Sequence, residues 1–493
     1  MKRFRSLVFV FAMLLALCMI FVGCDETPNS DTGNGDTNND STNNGDANGQ
    51  TASTGLAFLS NGDGTCSLWG IGQCIDVEIF VPEKSPAGDT VTSVKKEAFL
   101  ENDKIAVIHL PATVAVVEES AFSTCTRLLR VTFAEGSALT EIEKNAFSGC
   151  KELEKITLPH GLKTIADGAF SGCKTLAEVS FAQTLTSIGK SAFSDCPELK
   201  SIVIPAATKT LGDGAFRGCL ALESVTLSDT LENIGDHAFQ SCSALEAIAI
   251  PKGIKSLGKG AFRYCSSLKS ITFPATLTEL SEELFSSCTA LEQIVVPDTV
   301  TSIPSKAFSH CTALKTIALP ENLKTIDSSA FSNCTALASI SLPTTLEEIG
   351  SSAFMQCTSL EQIVIPAKVK VLRDSVFYNC TKLHTITFAT GSMLERAERY
   401  ALVNCNLAEI RFPASLRVLT DFVLFTSVDD GPPPSAVYLP AELTTISTYS
   451  LAGLSTVYYG GTKAMWHEIL EQSGNVWLVN APNIICTDGT ATH

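Results

Sequence analysis

Hydrophobic and polar positions recur along this chain with a fixed beat. A representative stretch runs Leu185-Thr186-Ser187-Ile188-Gly189, then Ala192-Phe193, Cys196 and Leu199, and ends in Ile202-Val203-Ile204-Pro205. Near its end the apolar residues lie two apart between small polar ones, the period of a strand with one buried face. The Phe193 position returns at Phe99, Phe122, Phe147, Phe170, Phe216, Phe239, Phe262, Phe285, Phe308, Phe331, Phe354 and Phe377, then at Leu402, Phe425 and Leu451. Nearly every step is 23 residues; two are 25 and the last is 26. So short a unit cannot bury its own apolar side, and each must stack on its neighbours.

Each unit is expected to hold a strand, a tight corner, a second short extended piece and one helical turn carrying the Ala-Phe pair and the cysteine. Proline follows the strand in eleven units, Pro205, Pro251, Pro297 and Pro366 among them, and ends it because it has no N–H for the ladder. The slot four before the phenylalanine holds Gly189, Gly212, Gly235, Gly258 or Gly350, but Ser281, Pro304 or Asp327 elsewhere. Proline there excludes a demand for positive φ. Sixteen strands at ~4.8 Å would make a curved solenoid roughly 75 Å long.

This pattern resembles the BspA-like, or treponemal-type, leucine-rich repeat proteins of bacterial cell surfaces. The resemblance covers about residues 77–459 and implies a leucine-rich-repeat solenoid with a cap at each end. Residues 55–94 resemble an N-terminal cap and half-repeat, with Ile79, Val81 and Pro82 as a zeroth strand. Repeats then occupy 95–459, and 460–493 resembles a C-terminal cap whose helix would place Met465, Trp466, Ile469 and Leu470 on one face.

The first 23 residues differ in kind. Lys2, Arg3 and Arg5 precede an apolar run from Leu7 to Val22, too short for a membrane span and ordered like a secretory signal. Gly23-Cys24 closes it as in the lipobox of bacterial lipoproteins, although Phe21 stands where that motif usually has leucine. Lipidation at Cys24 is the expectation, with an uncleaved anchor or plain secretion as alternatives. Residues 24–54 follow as an acidic Asn/Asp/Gly/Thr-rich tether with almost nothing to enter a core. The chain would then be exported and held outside a membrane by its N-terminal lipid.

Thirteen cysteines stand three residues after the recurring position, from Cys125 to Cys405. A stacked array points them all the same way, which suits buried filler better than disulfides, and they lack the paired spacing of a metal site. Cys66 and Cys74 flank Gly70-Ile71-Gly72 in an expected hairpin outside this row; a disulfide between them and two buried thiols are both open. No role is assigned to Cys486.

Nothing in the sequence converges on a reaction. The seven histidines occupy unrelated repeat positions, and Gly189-Lys190-Ser191 lacks the upstream glycine of a phosphate loop. No enzyme activity and no cofactor are expected. A net charge of −17 argues against nucleic acid and against electrostatic docking on a membrane.

What remains is surface. The outward strand positions include Ser201, Ser224, Thr226, Thr272, Gln293, Thr316, Gln362 and Arg411, a smooth, weakly polar sheet with few aromatic anchors. Lys200, Glu223, Glu246, Lys269, Glu292 and Lys315 largely alternate in sign beside it and are expected to form a charge ladder. Such a face favours broad contact with an extended protein over capture of a small molecule. "FAEGSAL" at Phe133 and "FATGSML" at Phe388 lengthen their units with a Gly-Ser loop, and "DDGPPPS" at Asp429 adds a protrusion; lengthened turns and rim contacts are both open. The family resemblance implies protein binding: adhesion to host matrix or cells, or coaggregation with other bacteria. An envelope spacer without a specific ligand is the alternative.

Overall fold

The computed structural model describes residues 51–424, 434–447, 449–451, 454–473 and 482–491. The expected signal, Cys24, most of the tether, Phe425 and the segment from Asp429 to Pro433 lie outside them. The described residues form one compact unit.

The unit is a β-solenoid whose coils carry two short parallel strands. In the coil around Phe193 these are Ser187–Ile188 and Ser201–Val203. The first kind stacks in register, Ser187 on Thr164 and on Thr210, and continues as a ten-stranded sheet through Ser256–Leu257. The second kind pairs Ser201 with Ser224 and Val203 with Thr226. Because successive strands run parallel, residues one repeat apart meet like with like. Leu185, Ile188, Ala192, Phe193, Cys196, Leu199, Ile202 and Ile204 of this coil are all buried, and the same slots fill the core throughout.

Twelve successive pairs of rings from Phe99 to Phe377 stack with centroids 5.0–5.7 Å apart and planes within 15°. Stacked rings remove the large apolar surface that a lone coil would expose.

The turn bearing Ala-Phe and the cysteine is not the expected helical turn. The residues two before and two after the ring adopt left-handed backbone, Ser191 at φ 52° and Asp195 at φ 58°. Every second amide of the turn is thereby aimed at the next coil. Ser191, Phe193 and Asp195 donate to the carbonyls of Asp213, Ala215 and Arg217 at 2.8, 2.7 and 2.6 Å. A third inter-coil ladder therefore alternates with bonds inside the turn, where Ala192 donates to Gly189 at 3.4 Å and Ser194 to Ser191 at 3.1 Å, and it satisfies amides that burial would otherwise leave unpaired.

Gly258, four before Phe262, has no positive φ, as expected. A Cβ there would lie 2.3 Å from the backbone of Gly235 and Asp236 one coil earlier, so close approach selects glycine.

One coil is misaligned by sequence. The amide of Leu402 donates to Val423, which places Leu424 in the slot expected for Phe425. Leu424 is buried there, and the strand pairs Ala397–Leu419 and Leu419–Ile446 carry the same shift.

At the amino end, Glu78–Phe80 pairs with Val107–Leu110, and Ile79 and Val81 are buried. The hairpin lies elsewhere than expected: Ala57–Ser60 pairs antiparallel with Thr65–Gly70, setting Cys66 opposite Ser60. Cys74 instead follows a turn against Gly55, where Gln73 donates to the Gly55 carbonyl. Cys66 is buried and Cys74 half-buried, both as free thiols in this structure.

At the carboxyl end, Thr462 caps the helix Lys463–Gln472 by accepting from the Met465 amide. Trp466, Ile469 and Leu470 are buried by it, but Met465 is exposed, one position off the apolar stripe. Cys486 is buried in Asn483–Cys486, which forms an antiparallel hairpin with Gly489–Ala491.

Candidate binding surface

The outward strand positions form continuous rows because the register is parallel. Gln293 meets Thr316 and Val295 meets Ala318; Gln362 meets Thr385 and Val364 meets Thr387. Ser201, Ser224, Thr226, Thr272, Gln293, Thr316, Gln362 and Arg411 are all exposed on strands of this kind. Between the hydroxyls stand Val203, Val295 and Val364, 61%, 71% and 56% exposed, so the surface is apolar at intervals.

The charge row beside it forms pairs at two steps. Lys269 binds Glu246 at 3.0 Å and Lys315 binds Glu292 at 2.9 Å, each across one coil. Both partners are well exposed, so these pairs fix side-chain direction more than they add stability.

The face is less smooth than its composition suggests. Both Gly-Ser loops wall a cavity on it. The first, about 460 Å³, is lined by Arg130, Phe133, Gly136, Lys155 and His160. The second, about 620 Å³, lies among His384, Phe388, Gly391, Glu409 and Arg411. Each loop is two residues longer than the corner of a 23-residue unit.

The few aromatic anchors cluster toward the ends of the face. Arg411, Tyr438, Tyr458 and Ile485 follow one another in the outward slot. The Arg411 guanidinium lies 3.5 Å from the Tyr438 ring centre, and the Tyr438 and Tyr458 rings stack at 4.7 Å. Glu409 accepts from Arg411 at 3.0 and 3.2 Å and holds the guanidinium above its ordinary range. The row was invisible in sequence because its members lie 27, 20 and 27 residues apart. Near the other end Phe80 and His109 stack at 4.2 Å, with His109 bonded to Thr132 and Glu78 at 2.7 and 2.9 Å.

The cysteine row is buried as expected, and it does more than fill space. Each Sγ donates to the carbonyl of the recurring phenylalanine one coil earlier, thirteen bonds of 2.9–3.3 Å. Desolvation pushes Cys265 and Cys311 up to about 12, and Cys242 and Cys288 well above the ordinary thiol. Thiols so held are poor nucleophiles and poor ligands. Among the described residues no group of three or more His, Cys, Asp or Glu could hold a metal ion. No described helix is long and apolar enough to cross a membrane.

Solved structures similar to this chain are bacterial leucine-rich repeat proteins. A leucine-rich repeat protein from Bacteroides ovatus shares 22% identity and a TM-score of 0.52, over 87% of this chain and 98% of that one. A leucine-rich cell surface protein from Faecalibacterium prausnitzii is 28% identical over 62% of this chain and 96% of its own, with a TM-score of 0.37. A leucine-rich repeat protein from T. pallidum is 26% identical over 44% and 90%, with a TM-score of 0.34. None of the curated proteins compared matches the sequence. The family model described as the BspA type leucine rich repeat region matches residues 92–222, 186–315 and 301–427, and with these ranges spanning well over half its length, the chain belongs to that family.

Proposed function

We propose that this protein is a non-catalytic surface lipoprotein, exported and anchored through Cys24, whose strand face binds other proteins. Adhesion to host matrix or cells, or coaggregation with other bacteria, is the role that fits. One observation carries the reading: Ser201, Ser224, Thr226, Thr272, Gln293 and Thr316 expose uncharged polar side chains over five coils of the strand face, with exposed Val203 and Val295 among them. Such a face offers large area at little side-chain entropy cost, and it lacks the charge that would select nucleic acid. Repeat scaffolds of this family are generally non-catalytic. The surface location of the Faecalibacterium protein supports the same placement here.

The test is saturable binding of the full chain to immobilised matrix proteins and to whole cells. Thr226→Lys, Thr272→Lys and Thr316→Lys together are expected to weaken it at least tenfold with no change in melting temperature. Absence of binding to every matrix and cell type would sink the reading and favour an envelope spacer.

A further inference from the structure

Away from the strand face, four successive coils carry a side-chain amide two residues after the core aromatic or leucine. These are Asn333, Gln356, Asn379 and Asn404, at φ 63°, 60°, 59° and 57°. The backbone alone does not require amides here, since Gly149, Gly172 and Gly218 fill the same slot. Beside them Thr335, Thr358 and Thr381 follow their cysteines directly, and the seven residues line a groove of about 350 Å³. Thr335 and Thr358 donate to the carbonyls of Thr312 and Thr335 at 3.3 and 3.4 Å, which leaves their oxygens free to accept.

Asn404 is the anomaly. It is 8% exposed, and its Nδ2 donates to Asn379 Oδ1 at 2.8 Å. Its own Oδ1 has no partner. A buried acceptor left unpaired is costly, and Asn404 is one of the residues that line the groove.

The lining restricts what can enter. It holds no charged side chain, so phosphate and carboxylate ligands gain nothing, and no aliphatic or aromatic one, so a lipid tail gains nothing. Amides and hydroxyls match a ligand that is both donor and acceptor at every unit. The amides advance one coil at a time, ~4.8 Å, close to the length of one sugar ring in a linear glycan; a peptide in extended form advances ~3.4 Å and falls out of step.

We propose that this groove is a binding site for a neutral linear oligosaccharide, laid across the coils along the amide row from Asn333 to Asn404. Asn379, Gln356 and Asn333 then meet successive rings, and the threonine hydroxyls accept from the ring substituents. The site is separate from the strand face, so it stands or falls independently of protein binding there.

Cellohexaose and chitohexaose serve as probes, titrated by saturation-transfer NMR into the full chain in a non-glycosidic detergent. Saturable binding of at least one is expected. Gln356→Gly, Asn379→Gly and Asn404→Gly combined should weaken it at least tenfold; glycine keeps the left-handed backbone, and an unchanged melting temperature verifies the fold. Thr358→Val alone should weaken it several-fold. Failure of both probes to bind, or equal binding by the triple glycine variant, overturns the proposal, as does displacement of the bound probe by an unrelated extended peptide.

Discussion

The Sγ of Cys288 lies 3.1 Å from the carbonyl oxygen of Phe262, one coil earlier, and Cys265 Sγ repeats the contact to Phe239 at 3.2 Å. The Phe262 carbonyl also accepts the Cys265 amide at 3.2 Å, so the thiol is its second donor. Filler and hydrogen-bond roles separate by substitution. Cys288→Ala loses both volume and donor and should cost ~1–3 kcal/mol. Cys288→Val restores volume without the donor and should recover only part of that loss. Urea unfolding followed by circular dichroism measures both; a valine variant as stable as wild type would reduce the thiol to filler.

Raised thiol pKa values make the solenoid sensitive to alkali. Burial pushes Cys265, Cys311 and Cys380 from the ordinary 9.0 up to about 12. The folded chain therefore holds these protons where the unfolded chain has released them. By linkage the contribution is complete below pH ~9 and is lost as pH rises through the folded values, by ~1.4 kcal/mol per thiol per pH unit. Melting temperature should fall steeply between pH 9 and 12, and replacing one of these cysteines by valine should flatten that fall. A profile level across this window would contradict buried, protonated thiols.

Native-state labelling reads the same burial residue by residue. Cys74 is half-buried, while the thirteen row thiols are almost wholly enclosed. Iodoacetamide at pH 8 should modify Cys74 first and the row only after denaturant is added. Mass spectrometry of the digested chain locates the adducts; early adducts at Cys242 or Cys334 would place the row at the surface.

Glycine in the slot before the turn is a steric requirement. At Gly258 a Cβ would meet the preceding coil's backbone at 2.3 Å, and backbone cannot yield as a side-chain tip can. Gly258→Ala should therefore destabilise by ~1–3 kcal/mol although alanine suits the φ angle. Ser281 occupies the next coil's slot, where its hydroxyl donates to the Leu257 carbonyl and the ten-stranded sheet has ended. The same unfolding measurement decides; a neutral Gly258→Ala would show that the coils part easily.

These positions also show what was legible in the chain. Phe193, Cys196, Ile202 and Pro205 recur at fixed spacing, so the solenoid and its core slots follow from period alone. The left-handed turn did not, because Ser191, Asn145 and His237 at those sites read as ordinary polar surface. Two adjacent apolar residues, Leu424 and Phe425, made the register ambiguous where the period broke. The row of Arg411, Tyr438 and Tyr458 was hidden for the same reason: irregular spacing conceals residues that parallel pairing later aligns. At the amino end the sequence left the pairing of Cys66 and Cys74 open because strand bounds near glycine are weakly specified, and the hairpin formed upstream of Gly70.

Trp466 closes the carboxyl end. It is wholly buried, its ring centre 5.2 Å from that of Tyr459, whose hydroxyl donates to the Ala441 carbonyl at 3.0 Å. An uncovered last coil would expose core and unpaired strand edge together. Trp466→Ala should cost ~3–5 kcal/mol locally. Coils contact mainly their neighbours, so the loss should fray the end rather than unfold the whole. Hydrogen exchange should accelerate over Ala436–Leu439 and Thr456–Tyr459 while Ser201–Val203 stays protected. Met465→Ala, on the exposed side of the same helix, should leave both protected. Uniform loss of protection in Trp466→Ala would instead make the solenoid one cooperative unit from end to end.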